Sequence, residues 1–131
     1  GDLTRDFNLS EFSSRGQPVP PEYLCNVRVL ATNLQVIRAR IGQPLVIISG
    51  YRSPAHNTAV GGATNSYHLS AQAADIRCGG LSPVELRQVI LDLIESGEIM
   101  QGGLGLYDTF VHYDIRGTKA RWDERKNKDT K

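Results

Sequence analysis

Leu24, Val27, Ala31, Leu34, Ile37 and Ile41 recur at intervals of three and four, which puts them along one stripe of a helix that Gly42 can stop. A helix with one apolar stripe must lay it against another layer. Much of the remaining apolar sequence comes in runs too short for helices: PLVIIS (44–49), AADIRC (73–78), and two alternating segments of GGLGLYDTFVHYDIRG (102–117) around a turn near Asp108-Thr109. The first two read as strands and the last as a β-hairpin. LSPVELRQVILDLIESGE (81–98) supplies a second helix, with Ser82 as N-cap, Pro83 in the first turn, Glu85 completing a capping box and Gly97 as the stop. The order helix, strand, loop, strand, helix, hairpin predicts a single α+β domain, its helices packed on one face of a largely antiparallel sheet.

A chain of 131 residues that is 40% hydrophobic can bury one core without crosslinks. Three regions are expected. Residues 1–21, with Gly16, Pro18, Pro20 and Pro21, read as an arm over the domain, anchored by Phe7, Leu9 and Phe12. Residues 22–122 form the domain, and DERKNKDTK (123–131) reads as a charged, disordered tail. A formal charge of +1 gives no footprint for nucleic acid or an anionic membrane. No apolar run is long enough to span a membrane, and no basic segment followed by an apolar stretch opens the chain. Cys25 and Cys78 are too few for a disulfide scaffold and are expected as buried or incidental thiols, or as one disulfide in an exported protein.

The stretch GYRSPAHNTAVGGATNSY (50–67) is long for a connection in a compact domain, and such loops usually carry function. Ser53-Pro54 can open one helical turn there, Gly61-Gly62 can end it, and His56 reads as a loop histidine bonded to backbone. Just beyond it lie His68 and Asp75, which together with His112 can bind one metal: two imidazoles and a carboxylate leave a tetrahedral zinc an open position. His68 and Asp75 are an odd number of residues apart and would face opposite sides of an unbroken strand. His68 is therefore expected on the loop before the strand, with Ser70, Ala71, Ala73 and Ala74 leaving room for a close turn. In FVHYDIR, parity puts Phe110, His112, Asp114 and Arg116 on one face and Val111, Tyr113 and Ile115 on the helix-facing side. Asp114 can then orient a histidine ligand or take a proton from water. Each residue also has an ordinary reading, with Asp114 paired to Arg116 and Arg52 to a neighbouring carboxylate.

SGYRSPAHNTAVGGATNSYHLSAQAADIR, then GGLGLYDTFVHYDIRG and RW, resembles peptidase family M15, the zinc D-Ala-D-Ala carboxypeptidase-like enzymes, and in particular its compact bacterial and phage branch acting on peptidoglycan. Ser66, His68, Ala73, Asp75 and His112 fill the family's motif positions, while Ala71 stands where the family usually has glycine. The resemblance implies a hedgehog/D-Ala-D-Ala peptidase-like fold with zinc on the sheet face away from the helices, His68, Asp75 and His112 as ligands, Arg52 as anchor for substrate and oxyanion, and Ser66 near substrate. It implies a zinc metallopeptidase cutting peptidoglycan stem peptides or crosslinks beside a D-amino acid, as carboxypeptidase or endopeptidase, with zinc-activated water. Several branches carry an acid where this chain has Thr109, so the general base is expected at Asp114, with Asp108 as the alternative. A non-catalytic zinc-containing cell-wall recognition module is the second reading. A mononuclear iron oxygenase is set aside because the chain has too few strands for a double-sheet barrel. Action in the periplasm or outside the cell, or in phage lysis or a phage tail, follows from the implied substrate; oligomeric state is not legible.

Overall fold

A computed structural model describes residues 1–126. After 3-10 turns at Leu9–Phe12 and Pro21–Tyr23 come α1 (Leu24–Ile41), β1 (Leu45–Ser49), α2 (Pro54–Ala59), a third 3-10 turn (Tyr67–Ser70), β2 (Ala73–Cys78), α3 (Pro83–Glu95), β3 (Gly103–Leu106), β4 (Val111–Asp114) and β5 (Ala120–Asp123). The sheet order is β1-β2-β4-β3-β5, antiparallel except for the parallel pair β3-β5. α3 opens with the expected capping box, in which the Ser82 hydroxyl accepts from Glu85 N and the Glu85 carboxylate accepts from Ser82 N.

Strand parity separates core from site. Ala74, Ile76 and Cys78 of β2, Val111 and Tyr113 of β4, and Leu104 and Leu106 of β3 are buried in one core with Leu30, Leu34 and Ile37 of α1 and Leu86, Ile90 and Leu93 of α3. The intervening positions, Asp75, His112, Asp114, Gly103 and Gly105, belong to the opposite face. β3 thus reads as alternating leucine and glycine because only one of its faces is filled by side chains of its own.

The C-terminal strand differs from the sequence reading. The strand β5 was not expected: it is four residues long, rich in charge, and paired to β3 by a register no local pattern announces. Asp123 therefore belongs to the sheet rather than to a tail, and Glu124 N still donates to Leu106 O at 2.8 Å. The rest of the expected tail, residues 127–131, lies outside the described residues. The arm is more than a cover, since Phe7 and Phe12 are fully buried, with rings edge to face at 6.3 Å. Cys25 is exposed and Cys78 buried, and each is a free thiol.

His68 leaves the strand as parity requires. The turn Tyr67–Ser70 carries it, capped by the Ser66 hydroxyl accepting from His68 N at 3.2 Å, and the chain re-enters β2 through Ala71 at φ 58°. That left-handed conformation costs a non-glycine residue about 1 kcal/mol or more. Ala71 is also fully buried, so a glycine there would relieve strain but lose packing. Ala71→Gly should accordingly shift stability by no more than about 1 kcal/mol in urea denaturation, whereas Ala71→Val, β-branched and enclosed, should lose about 3 kcal/mol.

Candidate active site

β2 pairs with β4 so that Asp75 stands opposite His112, and the turn before β2 brings His68 to the same point. His112 Nδ1 lies 3.1 Å and His68 Nε2 3.3 Å from the same oxygen, Asp75 Oδ1. One donor atom from each of the three buried residues falls within 4.8 Å of the others. The far nitrogens are committed. His68 Nδ1 donates to the Gly50 carbonyl at 2.7 Å, and His112 Nε2 donates to Asp114 Oδ2 at 2.7 Å. A ring whose N–H is fixed on one side presents a lone pair on the other. His68 Nε2 is buried without a hydrogen-bond partner among the described residues. A buried acceptor left unpaired is costly, and a cation between it, Asp75 Oδ1 and His112 Nδ1 would satisfy all three. The donor set of two imidazoles and a carboxylate fits zinc.

The electrostatics agree. Burial pushes the Asp75 carboxyl upward, but the His112 and His68 imidazoles beside it outweigh this and hold the group well below the usual carboxylate range. Burial pushes His112 downward, and the hydrogen bonds from Asp114 and Asp75 with their charges more than offset it, so the ring's proton affinity is raised.

Around these three the expected residues divide. Arg52 donates through Nη2 to Asp75 Oδ2 at 3.0 Å, through Nε to Ser49 Oγ at 3.1 Å and through Nη1 to Asn57 Oδ1 at 3.4 Å. It pairs with Asp75 and also lines the cleft. Ser66 caps the His68 turn and also lines the cleft. Asp114 has no exposure: beside His112 it accepts from Gly103 N at 2.9 Å and from Arg116 Nε and Nη2 at 2.9 and 2.7 Å. Burial raises its pKa, but the bonds from His112, Arg116 and Gly103 prevail and keep it ionised far below the normal range. Its carboxylate faces His112 and Arg116 rather than the cleft. Asp108 accepts from Lys126 N at 3.0 Å in the β3–β4 turn, and Thr109 lines a separate small pocket with Cys78 and Leu86. Neither lines the cleft. His56 bonds to the Ser14 hydroxyl at 2.6 Å, not to backbone, and ties α2 to the arm.

The cleft encloses about 750 Å³, within the range of small-ligand sites. One wall is the 60–68 segment; the other brings Phe110 and Arg116, which parity put on the His112 face, with Tyr107, Trp122 and Glu124, to which the sequence reading assigned no site role. Trp122 reaches it because β5 lies beside β3: a Cβ on Gly105 would come 2.2 Å from Trp122 Nε1, so the glycine leaves the indole its place. The indole then stands 5.0 Å from the His112 ring and donates to the Tyr107 hydroxyl at 3.0 Å.

The family model for peptidase M15 matches residues 6–114, most of the chain and all three convergent residues. This protein belongs to the peptidase M15 family. A protein of Haemophilus influenzae described as a probable peptidoglycan L,D-endopeptidase MepK is 32% identical over 100 residues, which cover 71% of this chain and 48% of that one. The chain thus spans about half the length of this curated relative. The M15 match ends at Asp114, before Arg116, Trp122 and Glu124; Arg116 had a sequence signal in strand parity and Trp122 in the RW pair, and Glu124 had none.

Asp114→Ala removes the acceptor that fixes the His112 tautomer. Zinc affinity, measured by competition with a chromogenic chelator, should fall about 10- to 100-fold with the far-ultraviolet dichroism of the fold retained.

Proposed function

We propose that this protein is a zinc-dependent peptidase acting on bacterial peptidoglycan peptides, cutting beside a D-amino acid. The convergence of His68 Nε2, His112 Nδ1 and Asp75 Oδ1, with each ring's other nitrogen already donating, carries the reading. The name of the Haemophilus influenzae relative supports peptidoglycan as substrate and favours endopeptidase over carboxypeptidase action. A cell-wall substrate would be met in the periplasm or outside the cell, by a bacterial or a phage enzyme.

Held by these three atoms, zinc would act as a Lewis acid, polarising the scissile carbonyl and lowering the pKa of water. The chain's own residues supply the rest. Gly50 and Asp114 keep both rings turned the right way, and Arg52 holds Asp75 Oδ2 so that Oδ1 faces the histidines. The Arg52 guanidinium adds fixed positive charge where an oxyanion would develop. Asp114 acts here through His112 and not as the proton acceptor, because its oxygens are consumed. Among the described residues, the carboxylate besides Asp75 that lines the cleft is Glu124, one residue past β5, and it is the candidate for accepting a proton from attacking water.

Digestion of peptidoglycan fragments followed by mass spectrometry tests this. Zinc-loaded wild type should release products whose masses name the bond. His68→Ala should lose activity by at least about 1,000-fold, and Glu124→Gln by about 100-fold with zinc binding unchanged. Tight zinc and cell-wall binding with no product from any wall type would instead support a non-catalytic recognition module.

A further inference from the structure

Arg116 is a charged group at the cleft that holding the ligands does not exhaust. Two residues past the end of β4 it folds back on Asp114, Nε to Oδ1 and Nη2 to Oδ2, as a bidentate fork. The same Oδ2 accepts from His112 Nε2, so one oxygen atom separates the guanidinium from a candidate metal ligand. The Tyr67 ring centroid lies 4.5 Å from the guanidinium carbon and that of Trp122 5.5 Å, within cation–π range.

Comparison with Arg52 shows what is left over. Every guanidinium nitrogen of Arg52 has a partner: Ser49, Asn57 or Asp75. Arg116 commits only Nε and Nη2, and Nη1 has no hydrogen-bond partner among the described residues although it is not among the buried unpaired atoms. The Arg116 side chain keeps 22% of its exposure over an Asp114 that keeps none. It lines the same cleft as His68 and His112. A cation used only to neutralise Asp114 has no need of an open edge or of two aromatic rings to hold it flat.

We propose that Arg116 binds a free carboxylate of the substrate close to the scissile bond, so that the site selects peptides bearing a carboxylate there over the same peptides bearing a carboxamide. This rests on the peptidase reading above. The guanidinium is already immobilised, so little rotamer entropy is lost on binding, and the new hydrogen bonds are charge-assisted. The carboxylate is either the peptide's terminal one or one on the residue beside the cut bond; both present the same chemistry to Arg116.

The test measures binding of two pairs of stem peptides to metal-free protein by calorimetry, one pair differing as acid or amide at the C-terminus and the other at the acidic side chain. In wild type the acid of one pair should bind at least about tenfold tighter than its amide, and that pair identifies the carboxylate. The acid-to-amide ratio should fall in Arg116→Lys, which keeps charge without the fork, and collapse below about threefold in Arg116→Gln. If Arg116→Gln fails to fold with Asp114 unpaired, the wild-type and Arg116→Lys ratios decide. Equal binding of acid and amide in both pairs, no binding of any peptide, or an undiminished ratio in Arg116→Gln overturns the proposal. Cleavage by the zinc-loaded enzyme is scored separately: absence of products defeats the peptidase reading, while the binding ratio still decides the role of Arg116. Where cleavage occurs, the same preference should sit mainly in KM.

Discussion

The register of β2 against β4 is the constraint on which the site depends. It sets Asp75 opposite His112 and, continued across the sheet, aligns Ser49, Asp75, His112, Gly105 and Trp122 in one row. A slip of one residue in β4 would exchange its core and site faces, sending Val111 and Tyr113 to the cleft and His112 to the helices. The apolar alternation that demands burial of Ile76, Val111, Tyr113 and Leu104 is therefore also what aligns the polar set. Core packing and site geometry are two readings of one pairing.

Around that row the polar groups are held in layers. Each imidazole donates backwards, His68 to Gly50 and His112 to Asp114, and each buried carboxylate is met by a guanidinium, Asp75 by Arg52 and Asp114 by Arg116. Buried ion pairs of this kind give little net stability, because desolvation consumes most of the Coulombic gain. Their effect here is orientation. The support also reaches outside the sheet: Tyr51 N donates to Phe12 O, and a Cβ on Gly50 would meet Phe12 Cα at 2.9 Å. The arm thus presses on the residue whose carbonyl fixes His68.

Much of this was legible in the sequence because local signals agreed with the final structure. Three-and-four periodicity marked α1, Ser82-Pro83 with Glu85 marked the start of α3, and two alternating runs around Asp108-Thr109 marked the β3–β4 hairpin. The odd spacing of His68 and Asp75 placed His68 off the strand. What escaped was set by distant contacts. β5 has a register visible only once β3 is in place, and with it went Trp122 and Glu124 on the cleft wall. Asp114 was legible as a neighbour of His112, but its choice between orienting a ring and meeting water depends on how completely Arg116, Gly103 and His112 enclose it. For His56, a partner 42 positions away in the arm left no local trace.

The two sides of the cleft differ in how firmly the fold holds them. Asp75 and His112 stand on β2 and β4, each bonded to strands on both sides, whereas Trp122 stands on β5, a four-residue edge strand with a single neighbour. Local opening is easiest where a segment has the fewest partners. Opening at the Trp122 edge would accordingly cost less than any shift of Asp75 against His112, so the sheet guards the pairing of these two residues more firmly than it guards the cleft's rim.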